Sequence, residues 1–263
     1  MNDPVRYDAE TGVATVTLNR PHAMNSLNLE TKDALLAAVL RAAADETVRC
    51  VVITGTGRAF CVGQDLREHV ENLATRSLPE VWSTVEEHYS PIALALATMP
   101  KPVIAAINGV AAGAGMSIAL ACDLRLAAES AAFNTAFTGV ALSCDTGASW
   151  TLQRLVGRGR ALELLMLPRN VKADEALSLG LVSRVVADDL LAGESAGLAA
   201  QLAAGPTLAY ASVKRAVAFA GARPLEEALA LESELMARTG GSEDHRNAVH
   251  SFVAKDKATF KGH

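Results

Sequence analysis

The chain has 263 residues, half of them apolar and a fifth charged, with a formal net charge of −5. These proportions are ordinary for a soluble globular protein with a sizeable core, in one large domain or two small ones. No basic field is present to hold a nucleic acid, so an anionic ligand would need a local site.

The opening decapeptide MNDPVRYDAE is polar and acidic and lacks the apolar core of a secretory signal, so a cytoplasmic protein is expected. Val13 to Asn19 alternates apolar and polar residues, the period of a half-buried strand. LNLETKDALLAAVLRAAADE carries apolar residues at helical spacing, with Asn28 or Thr31 as its cap. CVVITG and PVIAAING read as short buried strands, and DLRLAAES as a third. Strands alternating with helical segments imply an α/β fold, a sheet covered by helices. From DTGASW onward the pattern is mainly helical, with one strand-like piece at LVSRVV and three helices punctuated by Gly-Pro and Arg-Pro. The expected organisation is an α/β core over residues 1–190 and a helical region over 191–263.

Four cysteines form no C-x-x-C pair and the histidines no H-E-x-x-H, so buried free thiols are expected and no metal site. The uncharged run from Pro102 to Cys122 is long enough to test as a membrane helix. Its asparagine, glycines and alanines make a strand-to-helix switch the better reading, and no membrane partner is expected.

Within that run, NGVAAGAGMSIALACD fails as a phosphate loop: five residues after Gly109 stands Ala114, with no lysine following. Nor is it a G-x-G-x-x-G fingerprint, because Gly113 and Gly115 lead to Ile118. Two readings remain: tight helix–strand packing, or a helix starting near Gly115 whose free N–H groups face a ligand. GRAFCVGQDLRE has the same grammar, a buried strand, Gly63, then a helix opening at Gln64 or Asp65. Two such turns could stabilise an oxyanion.

These segments, with NRPHAMNSL, DTGASWTLQRLVGRGRALEL, ADEALSLGLVSRVV, GPTLAYASVKRAV and FVAKDKATFKGH, resemble in order the motifs of the crotonase superfamily, the enoyl-CoA hydratase/isomerase family. The resemblance implies a spiral of ββα units with a helical C-terminal region, a homotrimer or dimer of trimers, and an acyl-CoA substrate. Coenzyme A would arrive as the substrate's thioester, with no separate cofactor. The family's two oxyanion-binding N–H groups map to Gln64 and Ala114, the latter usually glycine. Its adenine contacts map to Ala23, Val62, Asp65 and Leu66, and Phe260 and Lys261 match a segment that approaches a neighbouring protomer's coenzyme A.

The two glutamates of the family's hydratases fall on Ser117 and Phe137. Asp145 falls where the family's isomerases, including those of Δ3,Δ2-enoyl-CoA and of ring-epoxide phenylacetyl-CoA, carry their acid/base. A single carboxylate suits a double-bond shift; the alternative for Asp145 is a cap on the helix that follows. A hydratase, or an acyl-CoA-binding paralogue without catalysis, is the competing function. A 4-chlorobenzoyl-CoA dehalogenase is disfavoured, because its histidine and tryptophan fall on Ser90 and Phe137. His88 reads as helix surface or pocket rim, and Trp82 and Trp150 as core or pocket wall. Arg154, Arg158 and Arg160 could attract phosphates or be solvated helix-end charges.

Overall fold

A computed structural model describes residues 3–263. Strands β1 (Val5–Glu10) and β2 (Val13–Leu18) form an antiparallel hairpin. Its two-residue turn, Thr11–Gly12, has positive φ at both positions, the twist that tight hairpins need. Helix α1 (Leu29–Ala44) follows, and Asn28 is its cap, accepting from the Thr31 amide at 3.1 Å.

Three turns of a spiral come next. Each places one strand in a large sheet and one in a small sheet before a helix begins. The first is β3 (Cys50–Gly55), β4 (Ala59–Cys61) and helix α2 (Leu66–Thr75). Helix α3 (Leu78–Thr84), a π turn at Val85–Tyr89 and helix α4 (Ser90–Thr98) complete it. The second is β5 (Val103–Ile107), β6 (Val110–Ala112) and α5 (Ala114–Ala121). The third is β7 (Leu124–Ala128), β8 (Ala132–Asn134) and α6 (Ala148–Met166), which kinks at Gly157. Then come β9 (Val171–Lys172), α7 (Ala173–Leu179) and β10 (Arg184–Val186). The large sheet has the order β1-β2-β3-β5-β7-β10 and the small one β4-β6-β8-β9. This is the expected ββα spiral. The small sheet was not foreseen as such, and the supposed membrane run is divided among β5, β6 and α5. Among the described residues no helix is long and apolar enough to cross a membrane.

Strands β3 and β5, inside the large sheet, are buried on both faces, which is why they read as unbroken apolar runs. Val51 and Ile53 point into the main core with α1, α4 and α5. Their neighbours Cys50 and Val52 point the other way, with Ile104, Ala106 and Leu126, onto helix α8 (Leu191–Ala203). So α8, although it follows residue 190, covers the sheet. Helices α9 (Thr207–Ala220), α10 (Leu225–Gly240) and α11 (Glu243–Ala254) complete the helical C-terminal region. Asp123, which closes the glycine-rich stretch, ties α9 to the sheet: its Oδ2 accepts from Val103 N and Lys214 Nζ, both at 2.8 Å. All four cysteines are free; burial pushes the thiols of Cys50, Cys61 and Cys122 up to about 12.

Candidate active site

A cavity of about 1060 Å³ lies where the strand-to-helix turns of the first two spiral units meet. Two asparagines brace the turn into β4, behind its first wall. Asn25, fully buried, donates from Nδ2 to the carbonyls of Ala59 (2.8 Å), Thr56 (2.9 Å) and Phe60 (3.2 Å). Asn108 donates to Gly57 and Ala59 from the other side. Beyond β4 the chain runs beside Leu27, whose N–H donates to Gly63 O (2.8 Å) and whose carbonyl accepts from Asp65 N (3.1 Å). In extended backbone successive groups alternate in direction, so the Gln64 N–H between them faces away from Leu27. It has no acceptor among the described residues.

The second wall is the start of α5, one residue earlier than expected. Gly113 caps it at φ 51°, donating to Asn134 O at 2.9 Å, and Ala114 is the first helical residue. Ala114 N–H is one of the helix's orphan donors and also has no acceptor among the described residues. The two turns press together. A Cβ on Gly63 (φ 84°) would stand 2.9 Å from Ala112 O and 3.2 Å from Ala114 N, and one on Gly115 would collide with the Cys61 carbonyl. Glycine is required at both places by this approach. Two unpaired amides and the positive end of α5 thus border one cavity.

The Gln64 side chain is held from behind. Its Oε1 accepts from the Tyr89 hydroxyl and, at 3.4 Å, from Lys32 Nζ. Tyr89 is buried, and its phenol is pushed well up by that burial and by the charge of Asp145.

Asp145 lines the same cavity. It does not cap α6: the cap is Gly147 at φ 78°, and no side chain supports it. The carboxylate accepts from Thr146 Oγ1 at 2.7 Å. Burial raises its pKa above the ordinary value, against the lowering effect of that hydroxyl. A carboxyl whose folded pKa is raised stabilises the fold fully below its unfolded pKa, near 3.9, and loses that contribution as pH rises through the folded pKa. Asp145→Asn is therefore expected to melt at a higher temperature than wild type at neutral pH and to lose that advantage near pH 3, a shift that thermal scans at the two pH values would check.

Ala23, Val62, Asp65 and Leu66 border the same cavity, and Phe137, Val140 and Leu142 give it an apolar side. Helix α2 begins at Leu66, one residue later than expected, and Asp65 is its cap, accepting from Arg67 N at 3.1 Å. Asp65 also accepts from Ser26 Oγ (3.0 Å) and Arg20 Nη1 (3.1 Å). Burial pushes its carboxyl up, but these bonds bring it below the ordinary range. Asp65→Ala is expected to cost about 1–2 kcal/mol at neutral pH, the loss typical of a helix cap, read from urea unfolding. The difference should shrink as pH falls through the depressed pKa, because a group of that kind stabilises only above its unfolded value.

Two expectations, for His88 and Trp150, are corrected here. His88 is not on the helix surface: the π turn buries it beside the cavity, which it borders, with Nε2 2.9 Å from Asp33 Oδ1 and Nδ1 3.2 Å from Thr84 Oγ1. Trp82 does line the cavity, but Trp150 is exposed and lies under the Arg154 guanidinium at 4.0 Å. Arg154 and Arg160 are engaged within α6, with Trp150 O and Glu163. Phe260 and Lys261 lie outside the cavity of their own chain: Arg49 Nη1 donates to Phe260 O at 3.0 Å, and Lys261 N donates to Asp244 Oδ1 at 2.6 Å. Ser117 is buried in α5 and donates to Gly113 O at 3.1 Å. Lys32, unremarked in the sequence, is buried on the cavity wall.

The Enoyl-CoA hydratase/isomerase family model matches residues 8–263. The 1,2-epoxyphenylacetyl-CoA isomerase of Escherichia coli (strain K12) is 41% identical over 253 residues, 96% of each chain. The short-chain-enoyl-CoA hydratase of Clostridium acetobutylicum is 34% identical over 256 residues, 96% of this chain and 95% of that one. Among solved structures, an enoyl-CoA hydratase/isomerase-type protein of Mycobacterium abscessus superposes with a TM-score of 0.95 at 42% identity, covering 98% of this chain and 100% of that one. The enoyl-CoA hydratase of Bacillus anthracis gives 0.92 at 32%, covering 99% and 100%. The chain belongs to the enoyl-CoA hydratase/isomerase family of the crotonase superfamily and is an enzyme of that family.

Proposed function

We propose that the protein is an acyl-CoA isomerase that moves a double bond through an enolate. The thioester oxygen sits between the N–H groups of Gln64 and Ala114, which stabilise it as it turns negative. Asp145 takes a proton from C2 of a 3-enoyl-CoA, leaving a dienolate. The same carboxyl then delivers a proton to C4, giving the conjugated 2-enoyl-CoA and restoring the carboxylate. The observation that carries this reading is a carboxylate relieved of any capping duty that borders the same cavity as two amides without acceptors. Water addition would draw on two carboxylates, at places where this chain has Ser117 and Phe137. The hydratase among the similar proteins keeps hydration as the second reading.

Coenzyme A would lie along Ala23, Val62, Asp65 and Leu66, carried by the substrate with no separate cofactor. Phe260 and Lys261 are assigned to a neighbouring protomer's coenzyme A. Exposed Met236, Phe252 and Val253 on α10 and α11 support self-association as a homotrimer or a dimer of trimers, which light scattering would count. A cytoplasmic location is proposed with it.

The test is to mix the protein with a 3-enoyl-CoA and follow the absorbance of the conjugated product. Turnover that survives in full in Asp145→Ala would sink the mechanism, and rapid hydration of crotonyl-CoA would favour the hydratase. Because the base must be ionised, kcat/KM is expected to rise with pH along a limb displaced above the ordinary aspartate value near 3.9.

A further inference from the structure

Lys32 has no part in the proton transfer just described. Its side chain leaves the first turn of α1, and only 4% of it is exposed. It lies on the stripe of α1 that also buries Leu35, Val39 and Ala42, where an aliphatic residue would be unremarkable. The ammonium makes one good hydrogen bond, to Thr84 Oγ1 at 2.8 Å. Its contact with Gln64 Oε1 is long, at 3.4 Å. Glu68 stands 3.9 Å away, close enough to balance charge and too far to accept a hydrogen bond. An ammonium has three protons. At least one is therefore left without an acceptor in a group almost wholly removed from water, an arrangement that is costly unless something else accepts it.

The surroundings hold the amine in place. The Thr84 hydroxyl meets His88 Nδ1 at 3.2 Å, and His88 Nε2 meets Asp33 at 2.9 Å. Phe137, Val140 and Leu142 border the same cavity. An acyl group lying there would meet both hydrocarbon and a fixed, under-used donor.

We propose that Lys32 is a specificity determinant that donates to an uncharged oxygen of the acyl group, a hydroxyl, ether or keto oxygen beyond the reacting carbons. The inference rests on the acyl-CoA reading above and narrows its substrate class to oxygen-bearing acyl chains. A carboxylate is the poorer fit at this amine, because Glu68 already balances the ammonium. A plain alkyl chain would leave the buried proton unmet.

The experiment compares three matched 3-enoyl-CoA esters, with alkyl, ether-bearing and carboxylate-bearing tails, on wild type, Lys32→Met and Thr84→Val. The wild-type ratio of kcat/KM, ether over alkyl, is expected to be about tenfold or more, the value of a hydrogen bond from a charged donor. In Lys32→Met that ratio should fall towards one; in Thr84→Val it should fall partway. The ratio cancels any general loss through Gln64, so an unchanged ratio in Lys32→Met would overturn the proposal. So would a wild-type preference for the alkyl or carboxylate ester, which needs no variant to fold. Affinities for the saturated analogues, measured in parallel by calorimetry, should show the same order. A binding preference without turnover would indict the isomerase mechanism and leave Lys32's role standing.

Discussion

Asp145→Asn is expected to lower kcat on a 3-enoyl-CoA by about 10²–10⁴-fold, the usual contribution of a positioned acid/base, while the affinity for the CoA ester stays near wild type. The change is nearly isosteric. The carboxylate's one hydrogen-bond donor from a neighbouring side chain is the Thr146 hydroxyl, which an amide oxygen can also satisfy. The helix behind it starts from Gly147 without help from Asp145, so the substitution removes a base and leaves α6 its cap. Burial is what makes this aspartate a stronger base than an exposed one would be. Stopped-flow turnover beside equilibrium binding would separate the two effects, and a matching loss of affinity would point to a structural role instead.

Ala114→Pro isolates a single N–H. Proline is well tolerated at the first position of a helix, where its missing donor has no intrahelical partner. The Ala114 N–H makes no hydrogen bond in the folded chain, so none is lost. Gly113, having no Cβ, spares the clash that proline imposes on its predecessor. The fold should survive, while kcat is expected to fall about 10²–10³-fold, the effect of deleting one donor from an oxyanion site. Ala114→Gly, which keeps the N–H, should lose far less. Equal losses in the two variants would mean that the side chain, and not the amide, is what matters at this position.

The residues that announced themselves in the sequence did so for local reasons. Cys50–Gly55 and Val103–Ile107 are buried on both faces and read as apolar runs, and Asn28 caps α1 through a bond three residues away. The repeated strand–glycine–helix grammar was legible at both turns, but Gln64 and Ala114 themselves followed only from the family resemblance. That the two turns press together depends on Gly63 meeting Ala112 and Ala114 and on Gly115 meeting Cys61 across the spiral, which no local pattern encodes. Strand β1 escaped because its residues are mostly exposed and charged, and the small sheet because strands of two or three residues are too short to show a period. His88 was misplaced by helical geometry: the wider π turn alters the angular offset on which a 3.6-residue spacing relies. Lys32 carried a signal that went unused, a lysine in register with Leu35, Val39 and Ala42. Lysine is so often solvated that only its burial at the cavity wall gives its place weight.

The central claim concerns proton abstraction beside a gripped thioester, and enolisation can be watched without any double bond. A saturated acyl-CoA incubated in D2O should take up deuterium at C2 with the wild-type protein, and the rate should collapse in both Asp145→Asn and Ala114→Pro although each still binds the ester. Deuterium uptake at the wild-type rate in Asp145→Asn would contradict the account.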